Sequence, residues 1–269
     1  MHWILQDNLF QEKAYQDLLN ILERFQIPHS IHKVIPFIGE LMPSPSLDTN
    51  NVICMGSYSL RHFAKKMCWT PGVFDLEPYH FLIQQKHWNH FMMNDDSIVC
   101  SLENASFPTE QNTMFIRPIE DSKVFSGQLI EQKDFEDWKQ KILQLGYSES
   151  DISLLNKDTL IQLCSPKNIL SEHRFWIVQG NIVTASTYKI GHTVFYKSDV
   201  DPRFYQFVQQ MIDIWQPLDA FVIDVAEIET NGQRELRIVE INTLNAAGFY
   251  AADMQKLVFA LEENFSTNS

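Results

Sequence analysis

Apolar and polar positions in the N-terminal part of the chain switch between the period of a strand and the period of a helix. Short apolar runs predict strands at 3–6, 31–37 and 51–55, and apolar residues three and four apart predict helices at 10–25 and 59–67. Strand, helix, strand, loop, strand, helix is the order of a small parallel α/β unit. We therefore predict an α/β domain over residues 1–110.

The C-terminal part has paired apolar runs separated by turn residues, which are typical of antiparallel hairpins. Strands are predicted at 114–118, 128–131, 160–164, 172–178 and 182–189, and on both sides of a last turn at 231–232. Helices are predicted at 135–145 and 203–215, with a closing helix that ends near 261. Because residues 103–112 form a polar linker, we predict a second, α+β domain over 111–265.

The last hairpin carries oxygen-bearing side chains in apolar strands: Asp224 in the first strand, and Glu240 and Asn242 in the second. A carboxylate is costly to bury there unless something pairs with it. A three-residue turn at 230–232, with Gly232 in the left-handed conformation, would place all three side chains on one face. Such a set suits Mg²⁺, which prefers oxygen ligands. The alternative is a half-buried hairpin whose acids are only solvated.

The preceding hairpin places two cations in apolar surroundings. Either two-residue loop that Gly180 allows puts Glu172 and Arg174 on one face, and Thr187 and Lys189 then fall on that same face. Arg174 and Lys189, with no surplus of acid around them, would bind phosphate. The alternative is a solvated outer face.

A third basic element precedes these hairpins. Arg117 lies in an apolar strand, and the loop that follows contains Lys123 and the small pair Ser126 and Gly127 before the chain returns as a strand. Backbone N–H groups of such a loop, together with one lysine, can cover phosphates. Alone this is weak evidence, because surface loops commonly contain a lysine.

Charge and composition exclude several classes of protein. A net charge of -13 argues against a nucleic-acid or anionic-membrane surface. Four widely spaced cysteines lack a CxxC pair, so they are expected to be free thiols in a reducing compartment. No apolar run approaches the ~20 residues of a membrane span, and nothing indicates export. We expect a cytoplasmic protein.

Three separated segments carry a resemblance to a known superfamily. The segments FIRPIEDSKVFSGQ, SEHRFWIVQGNIVTASTYK and RIVEINTLNAAGFY occur in the order found in ATP-grasp enzymes. They resemble in particular the ATP-grasp clade named for one arginine and two lysines, over residues 113–261. The resemblance implies an ATP-grasp fold, in which two α+β subdomains clamp ATP, preceded by an α/β pre-ATP-grasp domain.

The resemblance also implies roles for particular residues. It places two Mg²⁺ ions on Asp224, Glu240 and Asn242, the ribose hydroxyls on Glu172, and adenine along the segment Gln162, Leu163, Cys164, Ser165. It assigns the phosphates and the acyl-phosphate to cations, namely Arg117, Lys123, Arg174 and Lys189, with Ser126 and Gly127 in the covering loop. Arg174 and Lys189 are the residues to which we assign catalysis.

The implied reaction joins a carboxylate to an amine, or to a thiol, through an acyl-phosphate and releases ADP. The substrate is expected to be an amino acid, a peptide or a protein terminus, and residues 245–248 are expected to line the acceptor site. Two alternatives stay open: an ATP-dependent phosphotransferase, and a module that binds ATP without catalysis. The oligomeric state is not fixed, and a homodimer is one expectation from base rates.

Overall fold

The computed structural model describes residues 1–7, 13–35, 38–119, 125–145 and 155–266. The helices and strands in these ranges form three separate sheets and their covering helices. In chain order they are β1 (His2–Gln6), α1 (Lys13–Arg24), β2 (His29–Val34), β3 (Leu41–Met42), β4 (Asn51–Met55), α2 (Leu60–Lys66), β5 (Thr70–Gly72), α3 (Phe81–Trp88), β6 (Ile98–Ser101), β7 (Thr113–Pro118), β8 (Gln128–Glu131), α4 (Gln132–Leu145), β9 (Leu160–Cys164), β10 (Asn168–Val178), β11 (Asn181–Ile190), β12 (Thr193–Lys197), α5 (Pro202–Ile214), β13 (Ala220–Thr230), β14 (Gln233–Asn242) and α6 (Met254–Phe265).

The chain packs into two compact units. The first unit contains Met1–Pro78, Ile169–Ile228 and Arg234–Ser269, and the second contains Tyr79–Asn168 and Glu229–Gln233. These units are defined by packing. The division into residues 1–110 and 111–265 concerns domain organisation, and it stays a prediction.

The first sheet has the strand order β3-β2-β1-β4-β5 and belongs to the first unit. β1 pairs in parallel with β2 and with β4, and β4 pairs in parallel with β5. Because parallel neighbours need crossover connections, α1 and α2 link them. The predicted parallel α/β unit is therefore confirmed, with short β3 added as an antiparallel edge.

The second sheet, also in the first unit, has the order β12-β11-β10-β13-β14. Its residues Trp176 and Val222 share one hydrophobic core with Trp3 of the first sheet and with the buried faces of α1 and α6. Helix α6 buries Met254, Leu257, Val258 and Leu261, the spacing of one helical face. This core anchors the middle of β10 and β13, so residues two positions beyond it are held in place.

The third sheet lies in the second unit and has the order β6-β9-β7-β8. Its strands alternate: Met114, Ile116, Ile161 and Leu163 pack with Phe135 of α4 in a separate core. The residues between them in β7 and β9 therefore lie on the opposite face. All pairs of strands in this sheet are antiparallel.

The overall composition of elements agrees with the predicted combination of α/β and α+β parts. The sequence pattern did not reveal β12, because all five of its residues are exposed and its apolar residues do not alternate with buried ones. Within the described ranges, no helix is long and apolar enough to cross a membrane.

Candidate active site

A buried ion pair joins β10 to β13 at the edge of the core of the first unit. Arg174 Nε donates to Asp224 Oδ1 at 2.8 Å, and Nη2 donates to Oδ2 at 2.7 Å. Asp224 is 2% exposed and Arg174 is 7% exposed. Two parallel charge-assisted hydrogen bonds are the geometry that best compensates such burial.

The other two predicted metal ligands meet this pair. Asn242 Nδ2 donates to Asp224 Oδ2 at 3.1 Å and to Glu240 Oε1 at 3.3 Å. All three side chains therefore lie on one face of the second sheet, as the sequence analysis expected. Their role as Mg²⁺ ligands stays a prediction.

The turn by which they converge differs from the predicted one. The loop between β13 and β14 has two residues, Asn231 and Gly232, and both have positive φ, 52° and 76°. Positive φ at both positions is the mark of a type I′ hairpin turn, for which Asn-Gly is the preferred sequence. The predicted three-residue loop is thus wrong. Regular pleating from a two-residue loop would separate Asp224 from Asn242, so their contact requires a one-residue irregularity along the hairpin.

Glu172 has two partners on β11. Its Oε1 accepts a hydrogen bond from Lys189 Nζ at 2.6 Å, and its Oε2 accepts one from the Tyr188 hydroxyl at 2.9 Å. Arg174 and Lys189 therefore each have an acidic partner, and the prediction of cations without surplus acid is wrong. Ligands would have to exchange with these acids.

A β-bulge explains this arrangement and corrects a second expectation. Glu172 is opposite Lys189 whereas His173 is opposite Thr187, so Tyr188 is an extra residue in β11. Thr187 consequently faces away from Glu172 and contacts His173 Nδ1 at 3.0 Å. The two-residue loop was predicted correctly, but the sequence pattern did not reveal the bulge.

Three tyrosines that the sequence analysis missed surround Arg174. The ring of Tyr250 stacks between those of Tyr188 and Tyr196, with centroids 5.1 and 4.9 Å apart. The Arg174 guanidinium lies 4.8 Å from the Tyr250 ring, and its Nη1 donates to the Gly248 carbonyl at 3.2 Å. The only sequence signal was the position of Tyr250 just after the acidic strand.

The charges alter the titration of this cluster. Burial opposes the charge of Arg174, but the Asp224 carboxylate outweighs it and raises the pKa of Arg174. Complete burial raises the pKa of Asp224 against the opposing effect of Arg174. Burial, followed by the carboxylates of Asp224 and Glu172, raises the pKa of Tyr188. Tyr188 therefore acts as a neutral hydrogen-bond donor.

In the second unit, Arg117, Gln162 and Cys164 lie on the face of the third sheet that points away from its core. Gln162 is directly opposite Arg117, and Cys164 is opposite Phe115. Gly127 approaches the same face, where an added Cβ would lie 2.6 Å from Phe115 Cζ. Ser126 is exposed, and the predicted phosphate-binding Lys123 lies outside the described residues.

The end of β9 is braced by the segment before β6. Cys164 Sγ donates to Asn94 Oδ1 at 3.3 Å, and Ser165 N donates to Asp96 Oδ2 at 3.1 Å. Burial raises the pKa of Cys164 to about 11, so this thiol stays protonated. The amide of Ser165 already has a partner, whereas the sequence analysis expected its backbone to contact adenine; that contact stays a prediction.

The expected acceptor wall has a structural role in part. The Asn245 side chain bonds to Phe74 N at 2.8 Å and Cys54 O at 2.7 Å, which ties it to the first sheet. Ala247 is 5% exposed and lies in the hydrophobic core. Enlarging Ala247 would therefore disturb packing and would not test an acceptor site.

The converging acids and amide fit Mg²⁺ chemically. Asp224, Glu240 and Asn242 offer carboxylate and amide oxygens, and phosphate oxygens and water would complete an octahedron. Among the described residues, no group of three or more His, Cys, Asp or Glu side chains could hold a metal ion without such additions. Since Arg174 engages both oxygens of Asp224, Glu240 and Asn242 are the more accessible donors.

The comparisons with known proteins agree with this geometry. The sequence model of the ATP-grasp domain, family 3 of the clade named for one arginine and two lysines, matches residues 60–261. The chain belongs to this family. No curated protein sequence matches it.

Solved structures extend the likeness of fold over almost the whole chain. The D-cycloserine synthetase DcsG is 10% identical with a TM-score of 0.59, over 98% of this chain and 99% of that one. The ATP-grasp ligase PsnB is 10% identical with a TM-score of 0.58, over 97% and 98%. The D-alanine–D-alanine ligase of Bacillus anthracis is 10% identical with a TM-score of 0.55, over 98% and 93%. At this identity, these likenesses establish the ATP-grasp fold.

Proposed function

We propose that this protein is an ATP- and Mg²⁺-dependent ligase that joins a carboxylate to an amine, or to a thiol, and releases ADP. The observation that carries this proposal is the cluster of Asp224, Glu240 and Asn242 beside Arg174 in a chain of the ATP-grasp family. Oxygen ligands and cations on one sheet face are what phosphoryl transfer requires, because little covalent help from the protein is needed.

The proposed reaction has two steps. An oxygen of the substrate carboxylate attacks the γ-phosphorus of ATP, the bond to the β-phosphate oxygen breaks, and ADP leaves. The amine nitrogen then attacks the acyl carbon, the acyl-phosphate C–O bond breaks, inorganic phosphate leaves, and the amine loses a proton. No nucleophile from the protein takes part.

Arg174 and Lys189 are the proposed catalytic cations. Each now contacts an acid, Asp224 and Glu172 respectively, at 2.7 and 2.6 Å. A phosphate brought to this face would compete with those acids for the same N–H donors. The pairs thereby hold both cations on the correct face while limiting the cost of their burial.

The proposed Mg²⁺ would be held by Glu240 and Asn242, with Asp224 as the third donor. When bound, the ion would neutralise phosphate charge and polarise the transferred phosphoryl group. Asn242 contributes by fixing the two carboxylates through its amide hydrogens. Glu172, which sits beside Lys189, is the proposed ribose ligand.

The proposed substrates are an amino acid, a peptide or a protein terminus. A solved structure of PsnB contains a minimal precursor, Mg and ADP, and PsnB has the same fold at 11% identity and a TM-score of 0.56. For this chain, that likeness supports peptide screening first. The four free cysteines are consistent with a reducing, cytoplasmic setting for the reaction.

The experiment measures ADP and phosphate release with Mg²⁺ and ATP across a panel of amino acids and peptides, with mass spectrometry of the products. Release of ADP and phosphate with a new amide or thioester supports the proposal. ADP with a stable phosphorylated product would indicate a phosphotransferase, and ATP binding without ADP for any substrate would indicate a binding module.

A matched variant tests the metal assignment separately. Thermal unfolding of the wild-type protein should shift with ATP and Mg²⁺, since saturation at a hundredfold excess over Kd adds about 2.7 kcal/mol. Glu240→Gln should lose the Mg²⁺-dependent part of this shift. An undiminished shift in Glu240→Gln would contradict its role as a ligand.

A further inference from the structure

The side chain of Gln162 is buried without any hydrogen bond. It is 0% exposed, and neither its Nε2 nor its Oε1 has a partner, in contrast to the other amides described for the site. A buried donor or acceptor left unpaired costs about 1–3 kcal/mol. An amide that carries two such groups therefore needs an explanation beyond packing.

The position of Gln162 argues against a packing role on physical grounds. Its neighbours in β9, Ile161 and Leu163, point into the core of the second unit, whereas Gln162 lies on the opposite face. On that face it is opposite Val99 on one side and Arg117 on the other. A leucine would fill this position without unpaired polar atoms, so the amide is unfavourable for the isolated fold.

A carboxamide offers one donor and one acceptor side by side. Adenine presents the complementary pair on its N6–N7 edge, where N6–H donates and N7 accepts. Guanine presents two acceptors, O6 and N7, on the corresponding edge, so it would leave the carboxamide oxygen unpaired. The two unpaired atoms of Gln162 thus match adenine and do not match guanine.

We propose that Gln162 binds the adenine edge of ATP through its side-chain amide and is the residue that selects ATP over GTP. This inference rests on the proposed function, because it assumes that the chain binds a nucleoside triphosphate. Since the amide is covered, the base reaches it after Gln162 changes rotamer, which its unbranched side chain permits. The two new hydrogen bonds then relieve the unpaired burial.

The test uses Gln162→Leu, because binding and stability should change in opposite directions. Without nucleotide, Gln162→Leu should unfold at the same temperature as the wild type or higher, since it removes two unpaired polar atoms. The affinity for Mg²⁺-ATP, measured by calorimetry, should fall about 10- to 100-fold, which corresponds to about 1–3 kcal/mol. The affinity for Mg²⁺-GTP should change much less.

Leu163→Ala is the matched control, because Leu163 is adjacent in β9 and equally buried but lies in the core. It should lower the unfolding temperature and leave the ratio of ATP to GTP affinity unchanged. If Gln162→Leu does not fold, Gln162→Met, which keeps an unbranched side chain, replaces it with the same expected change in ratio.

Three results would overturn the inference: an unchanged ratio in the Gln162 variant, a wild-type protein that binds ATP and GTP equally, or a ratio that Leu163→Ala changes as much. These outcomes differ from failure of the proposed function. In that case, the wild-type protein would bind neither nucleotide.

Discussion

The polar side chains of the second sheet and the outward face of the third sheet are both buried, but their hydrogen bonding differs. In the second sheet, Arg174, Asp224 and Glu172 each have at least two partners. In the third sheet, Gln162 has none. Paired groups are stable without ligand and must be exchanged when a ligand binds. Unpaired groups destabilise the fold until a ligand supplies their partners.

Removing Arg174 should break the paired sheet most strongly. Arg174→Met leaves the Asp224 carboxylate buried without its ion-pair partner, and the free energy of unfolding should fall by about 3–5 kcal/mol. Urea denaturation measures the change. Lys13→Met is the control, because the Lys13–Asp17 pair is exposed, and it should change stability by less than about 0.5 kcal/mol. Similar losses in the two variants would mean that burial of the pair is unimportant.

The opposite face of the second sheet should make stability depend on pH. Burial lowers the pKa of His173 to about 4, and its ring nitrogens bond to Ser171 and Thr187. The unfolded chain, with a pKa near 6.5, binds the proton more readily. This contribution is therefore fully present above pH 6.5 and is lost as the pH falls toward 4. The loss should be about 3 kcal/mol.

Denaturation curves between pH 7 and pH 4 test this contribution in the wild type and in His173→Gln. The variant should lose less stability over this range, because Gln does not titrate. Parallel pH profiles for the two proteins would show that other groups dominate.

The third sheet should respond to a methyl group placed over its outward face. Gly127→Ala brings a Cβ to 2.6 Å from Phe115 Cζ, so the ring or the loop must shift, at a cost of about 1 kcal/mol or more. Thermal unfolding of Gly127→Ala measures the effect. The double variant with Phe115→Leu should recover part of it, and a strictly additive double variant would indicate that the ring is not the obstacle.

The smallest effect is expected for the half-exposed ion pair of the second sheet. The side chain of Lys189 is 35% exposed and that of Glu172 is 11% exposed, so water screens this pair more than Arg174 and Asp224. Lys189→Met should reduce stability by no more than about 1 kcal/mol. The reduction should diminish at about 1 M salt, measured by urea denaturation. A loss as large as that of Arg174→Met would remove the proposed gradient of burial.

Local patterns predicted most helices and strands because burial follows the 2- and 3.6-residue periods. The parallel order of the first sheet followed from its alternation of strands and helices. β12 could not be predicted, since an exposed edge strand has no buried face to impose a period. The Asn-Gly turn was placed correctly, but its length was not, because loop length and register depend on pairing along the whole hairpin.

The site shows the same division. The residue types at Asp224, Glu240 and Asn242 indicated converging oxygen ligands, and the tertiary structure brings them into contact. Their ion-pair partners were not predictable, because Arg174 lies 50 residues before Asp224 in the chain. Tyr188 was missed because a single bulge in β11 rotates it onto the face of Glu172.

The sequence by itself determined the succession of elements, the acidic character of the last hairpin and the family motifs, since these reside in residue type and spacing. Only the tertiary structure decided which charges are paired. It showed that Arg174 and Lys189 are held by acids and that Gln162 is held by none. The physical reason is that hydrogen bonding in a buried site depends on strand neighbours and bulges, which place residues distant in sequence within about 3 Å of one another.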